Sequence, residues 1–456
     1  MTTIKLLALF LLLFINPDFG HAQDSGKMNP KEIKLLIDSL GNALNRWYIY
    51  PDKAALMVQN VKKNFKSGTY NTVQNKSELC LRIINDLQQV HKDPHLRMAY
   101  DPELAGFLET PMSDEAKQQN YEFDLKNHRE SNFSFVKTEI LSGNIGYLRW
   151  DGFSGFVQEA KPTLDAAFGF VSNCKALIVD MRYNGGGSPQ MVLQTASYFF
   201  EQKTRMNDII DRNNDTVKGW TDPTISTFKL KMPVYILTSR YTFSGAEDFT
   251  YGLQQIKRGT VIGETTGGGA HPTGSFSIGQ GFILDIPTHR SPNIISKTDW
   301  EGTGVTPDVA VPFEQALQKA QEHIFTDFLS KTNDERERRM LQWNLTSLEN
   351  RSLLAKQVQE GNIKLTKETL LNYCGEYHPS EPNSGLPVMT IVLNENSLYR
   401  RYEGAPDLRL IPISATQFVY DDESGRTMNF EVNGNEKASK LILSNPRGMF
   451  TLNRKP

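Results

Sequence analysis

The residues best arranged for chemistry lie in Leu237-Thr238-Ser239-Arg240-Tyr241-Thr242-Phe243-Ser244-Gly245-Ala246-Glu247. An apolar, strand-like run ends there, and a helical pattern through Phe249, Leu253 and Ile256 follows. A serine at such a junction is presented at the carboxyl edge of a sheet, where the following N–H groups and the helix dipole favour developing negative charge. The competing reading is that Ser244 simply N-caps the helix, and this segment alone leaves both open. A second segment, Asp180-Met181-Arg182-Tyr183-Asn184-Gly185-Gly186-Gly187-Ser188, leads a buried strand into a loop with three glycines. Glycines let backbone amides approach a reacting group. No Lys-Ser/Thr follows, which excludes a Walker loop and leaves an oxyanion hole or a plain tight turn.

Histidines supply the candidate bases. His91-Lys92-Asp93-Pro94-His95 spaces two of them four apart, but Lys92 stands where a zinc hydrolase carries Glu. Pro94 also breaks any helix that would align the pair, so no metal is expected there. His271, in Gly269-Ala270-His271-Pro272, is a second-rank candidate, and His128, His289, His323 and His378 read as structural residues.

Positioning these groups takes several regions. Ile33, Leu36, Ile37, Leu40 and Leu44 recur at helical spacing, and further helices are expected from Pro51 and from about Ser77. Between 140 and 312, strand-like runs at 144–150, 176–180, 233–237 and 260–262 alternate with helical segments, the pattern of a largely parallel α/β sheet. A charged helical stretch covers 313–366. From 367 to 456 the segments Met389–Leu393, Leu410–Tyr420, Met428–Val432 and Lys440–Leu443, with turns such as Asn433-Gly434-Asn435, read as a small all-β module. Lys5 followed by ten apolar residues, Leu6 to Ile15, and the small residues Gly20 and Ala22 read as a signal peptide over 1–22. The expected organisation is therefore 23–110 helical, 111–312 α/β core, a helical linker and the β module.

With 50 basic and 52 acidic residues the chain has no basic excess, which argues against a nucleic-acid partner. No later stretch is long and apolar enough for stable membrane insertion. The cysteines Cys80, Cys174 and Cys374 share no metal-ligand spacing and read as buried thiols.

Taken together, the motifs resemble the tail-specific (carboxy-terminal-processing) serine peptidase family, in its tricorn core and interphotoreceptor retinoid-binding-protein-like branch. The resemblance rests on Gly143–Leu148, Asp180–Gly187, Thr242–Glu247, Ile262–Gly269 and Gly304–Asp308, with Tyr50–Ala54 and Asp93–Leu96 before them. It implies a ClpP/crotonase-like peptidase core acting on protein or peptide substrates, with no metal and no cofactor. It further implies Ser244 as nucleophile, His95 as base, Glu301 as orienting acid, and an oxyanion hole from Gly245 with Gly185 or Gly186. A lysine that activates the serine in another branch is replaced by Gly268, and an auxiliary serine before the histidine is replaced by Pro94. The 98–139 interval is too short for a PDZ domain. Two other readings follow from the same residues: a non-catalytic carrier of apolar ligands, and a scaffold that binds through its β module.

Overall fold

The computed structural model describes residues 26–455 except 111, 361–362, 382–384, 423 and 433–435. The expected signal peptide and the Asn433-Gly434-Asn435 turn lie outside the described residues. The chain divides into two compact units, 1–317 and 318–456.

The first unit opens with three helices. Pro30–Trp47 begins with a reciprocal cap in which Asn29 Oδ1 accepts from the Lys31 and Glu32 amides while Glu32 Oε2 accepts from the Asn29 amide at 2.8 Å. Pro51–Lys66 and Lys76–Gln88 follow, the latter capped by Asn75. Their apolar faces bury Leu36, Leu40, Leu44, Met57 and Ile83, but they do not close this core alone. Ile278, Phe282, Leu284 and Ile286 belong to the same cluster. They come from a hairpin, Thr273–Ser277 and Phe282–Pro287, that the sequence pattern assigns to the α/β core. The short strand Arg97–Tyr100 pairs with Phe282–Pro287 on the side away from Thr273–Ser277, completing a three-stranded antiparallel sheet. Helices Pro102–Glu109 and Asp114–Glu130 occupy the interval that the sequence reads as too short for a further domain.

A six-stranded sheet forms the centre, in the order Val309–Ala310, Gly259–Gly263, Val234–Thr238, Ala176–Asp180, Ile145–Trp150 and Phe135–Leu141. Every pairing is parallel except the last, so the largely parallel expectation holds, with one antiparallel edge. Ala176–Asp180 and Val234–Thr238 are buried along their whole length, as central strands covered on both faces must be. Helices Val157–Val171, Pro189–Ala196 and Gly245–Gln255 pack Leu164, Phe168, Val192 and Phe249 into this core.

The second unit carries the helix Glu335–Glu360 and an eight-stranded antiparallel barrel running from Gly375–Pro379 to Gly448–Arg454. The run expected as one strand, 410–420, is two, Ala405–Pro412 and Gln417–Tyr420. Ser414 Oγ turns the chain between them by accepting from the Thr416 and Gln417 amides. Among the described residues no helix is long and apolar enough to cross a membrane. None of the three cysteines is in a disulfide; Cys80 and Cys174 are buried as expected and Cys374 is only half-buried.

Candidate active site

Val234–Thr238 delivers its chain into a turn from which the helix Gly245–Gln255 departs. Ser244 stands at the N-cap position of that helix with φ 52° and ψ −120°, and Glu247, three residues on, reaches back to its amide as in a capping box. An N-cap residue uses extended angles. Ser244 therefore caps the helix in an unusual conformation, one that costs a non-glycine residue about 1–3 kcal/mol. The surrounding hydrogen bonds hold it there. Ser239 Oγ donates to Arg182 O at 2.6 Å, Thr242 Oγ1 donates to Met181 O at 2.8 Å, and the Phe243 amide donates to Asn184 O at 3.1 Å. The serine turn and the glycine loop are thus one welded unit.

Glycine is required where these loops meet. Gly186 has φ +103°, and a Cβ there would stand 2.7 Å from Gly245 N and 2.8 Å from Ser244 Cβ. A Cβ on Gly245 would lie 3.0 Å from Gly187 N. The expected oxyanion donors are therefore adjacent, but not all are free. The Gly186 amide donates to Asn184 Oδ1 at 2.8 Å, and the Gly185 amide makes only a long contact, 3.4 Å, with Asp151 O. For Gly186 as a resting donor this is a correction, because the buried Asn184 carboxamide, itself fixed on Trp150 O, takes the proton first.

Glu247, three residues after Ser244, is a component for which the sequence suggested no role. Its fully buried carboxylate accepts from the amides of Ser244 (2.9 Å), Gly268 (2.7 Å) and Gly269 (2.8 Å) and from the Thr266 hydroxyl. Burial pushes this carboxyl up to about 7, against the pull of those donors. Four donors and no acceptor mark a site built for the ionised form. The Glu247 side chain ties the serine turn to the 265–269 loop.

The three-stranded sheet explains how distant histidines meet. Arg97 and Ser275 both pair with Asp285, so the strands that follow His95 and His271 run parallel on either side of one partner. The His95 ring lies against Phe243, centroids 4.7 Å apart, beside the residue preceding the serine. Its amide donates to Asp93 Oδ1 at 3.1 Å, and its Nδ1 is buried without a partner, leaving Nε2 as the accessible nitrogen. Burial lowers this imidazole to about 4, so it is neutral near pH 7. Among the described residues no hydrogen bond joins the ring to Ser244 or to Glu301.

Glu301 is held elsewhere. Its Oε2 accepts from the Ala270 amide at 2.5 Å and lies 3.5 Å from His271 Nδ1. His271 Nδ1 is nearer still to Asp93 Oδ2, at 3.1 Å, and Tyr48 donates to that same oxygen at 3.0 Å. The expected direct pairing of Glu301 with His95 is thus replaced at rest by pairing with His271, the second-rank candidate. Burial drives Glu301 up to about 8. Burial also opposes charge on His271, but the hydrogen bond to Asp93 and the charge of Glu301 outweigh it and raise this imidazole. Asp93, His271 and Glu301 offer ligand atoms within 4.8 Å of one another, the spacing a metal ion would need. Asp93 Oδ2 and Glu301 Oε2 each already accept a protein hydrogen bond, which fits a proton-linked network better.

Gly269 connects both halves of the site. A Cβ on it would collide with the Phe243 ring and stand 2.5 Å from His95 Cε1. The Gly269→Ala variant is expected to lose at least about 100-fold in kcat/KM through displacement of the His95 ring, with an unchanged circular dichroism spectrum. Wild-type turnover in that variant would show that His95 need not sit where it does.

Residues 144–311 match the family model described as peptidase family S41, and residues 30–135 match that of the N-terminal domain of peptidase S41 in eukaryotic IRBP. Carboxyl-terminal-processing peptidase 2, chloroplastic, from Arabidopsis thaliana is 26% identical over 185 residues, 38% of this chain and 32% of that protein. The chain therefore spans about a third of that relative's length. Among solved structures, the photosystem II D1 C-terminal processing protease aligns with a TM-score of 0.42 and 16% identity, covering 63% of this chain and 94% of that one. A lipoprotein from Streptococcus agalactiae aligns with a TM-score of 0.42 and 15% identity, covering 66% and 98%. With both matched in sequence order, residues 30–311 carry the amino-terminal and peptidase domains of peptidase family S41.

Proposed function

We propose that the protein is an exported serine endopeptidase that hydrolyses peptide bonds of protein or peptide substrates through an acyl-enzyme on Ser244. The carrying observation is Ser244 itself, strained at a helix N-terminus with a neutral histidine packed on the preceding residue. In the reaction, His95 Nε2 takes the hydroxyl proton as Oγ attacks the carbonyl carbon, then returns it to the leaving amine. Water repeats the sequence to release the acid. The Gly245 amide, at the positive end of its helix, faces the oxyanion. The second donor comes from the 185–187 loop, where Gly186 exchanges Asn184 for the oxyanion.

Glu301 keeps its role as the orienting acid, reached on closure around substrate. Its Oε1 and His95 Nδ1 are both buried and both without a partner, and one shared proton satisfies the two atoms. Apo serine sites commonly tighten in this way. Export is supported by Lys5 and the apolar run after it.

A fluorophosphonate tests the assignment without knowledge of the substrate. A single adduct on Ser244, mapped by mass spectrometry and lost in His95→Ala, is the expected result. A folded protein that stays unlabelled would favour the carrier reading instead. The pH profile gives a second check. Protonated imidazole cannot accept the serine proton, so kcat/KM falls as pH drops through the His95 pKa. With burial holding that value at about 4, the acid limb is expected well below the usual imidazole range near 6.5. A limb at 6.5 would mean that the base is solvated.

A further inference from the structure

The barrel of the second unit contains a buried arginine whose Nε and Nη1 have no hydrogen-bond partner. Arg400, 5% exposed, lies on the strand Ser397–Tyr402 opposite Ile391 and Leu408, and the buried Ile391 places it on the inner face of the barrel. Its Nη2 has no partner among the described residues either. Arg401 pairs with Asp407, whose carboxylate also acts at longer range on Arg400, and Arg426 pairs with Asp422. What surrounds Arg400 is aromatic, with the Tyr402 ring centre 4.2 Å and the Tyr420 ring centre 5.8 Å from its guanidinium carbon.

The position in the barrel matters as much as the missing partner. The helix Lys367–Tyr373 closes the far end, where Tyr373 stacks on Phe430 at 4.6 Å and donates to Ala415 O. Arg400, Tyr402 and Tyr420 sit toward the opposite end, beside the turns that leave strands 397–402 and 417–420. Ser347 of the helix Glu335–Glu360 abuts that end, so tightly that a Cβ on Gly425 would collide with its hydroxyl. One turn further along the same helix, Asn350 Nδ2 is buried and unpartnered as well. These orphaned groups are all donors.

An uncompensated buried charge is strongly destabilising, and a guanidinium edge offers parallel N–H bonds that match a carboxylate. A doubly charged phosphate would need a second uncommitted cation, and Arg426 is spent on Asp422. The mouths of small barrels are also common ligand sites. We propose that this end of the C-terminal barrel is a carboxylate-binding site anchored by Arg400, with the tyrosine rings taking the apolar body of the ligand. The carboxylate could be that of a free organic acid or of a peptide's carboxyl terminus. The site is independent of the chemistry at Ser244.

Full-length Ser244→Ala protein, which cannot consume a peptide, is titrated calorimetrically with benzoate, a tetrapeptide acid, the same tetrapeptide as its amide, and inorganic phosphate. At least one acid is expected to bind, and Arg400→Met is expected to weaken it at least about tenfold, the low end for a charged hydrogen bond. Arg400→Met should also leave the unliganded melting temperature unchanged or higher. If that variant does not fold, Arg400→Lys, which keeps charge without the fork, should weaken binding by a similar factor. Benzoate binding alone assigns a free acid, and tetrapeptide acid binding over its amide assigns a chain terminus. No binding of either acid at millimolar concentration, binding indifferent to Arg400, or tighter binding of phosphate would overturn the proposal.

Discussion

Ser244→Ala is expected to reduce peptide hydrolysis by roughly 10⁴- to 10⁶-fold, the scale at which loss of a nucleophile acts in a serine triad. Stability should move the other way or not at all. The wild-type serine sits at φ 52° and Glu247 holds it by its amide, so removing its hydroxyl leaves that bond in place. The unfolding midpoint of the variant is expected within about 0.5 kcal/mol of wild type, as for a change away from any packing or bonding feature. Residual hydrolysis above one per cent of wild type would show that another group is the nucleophile.

Glu247→Ala should have the larger effect on the fold. It leaves three amides and a hydroxyl, all buried, with no acceptor. Each orphaned donor costs about 1–3 kcal/mol, with incomplete additivity. A loss of at least about 3 kcal/mol in unfolding free energy is expected, measured by urea titration. Fluorophosphonate labelling of Ser244 should also disappear, because the carboxylate fixes both the serine turn and the loop beside His95. Glu247→Gln restores the volume but points two N–H groups at donors, so it should recover neither property. A variant within 1 kcal/mol of wild type that labels at the normal rate would refute this role.

Local chemistry made much of the molecule readable from its residues. Ala176–Asp180 and Val234–Thr238 are unbroken apolar runs, and only a covered central strand accommodates them. The serine junction and glycine loop follow from such strands ending beside glycine. Partners set by tertiary structure were not readable in this way. His271 and Asp93 are 178 residues apart and meet through a sheet whose middle strand lies later in the chain than both. That meeting diverts Glu301 from the histidine it was expected to orient. The Asn184 bond to Gly186 is local, but a side chain two residues before a glycine can turn either way, and only the buried Trp150 carbonyl decides the direction. Glu247 lies in the Thr242–Glu247 segment, but its acceptor function becomes visible only once the 265–269 loop folds over it.

The shared strand Phe282–Pro287 also bears on the order in which the molecule is made. The segment that follows His95 pairs with a strand roughly 190 residues downstream. At ribosomal speeds of about 5–20 residues per second that partner arrives some 10–40 seconds later. Until then the first three helices lack the apolar residues that complete their core. A nascent or prematurely terminated chain can therefore present the serine without a seated histidine. Ser244 itself precedes Phe282 by only about 40 residues, so the serine is made late in that interval.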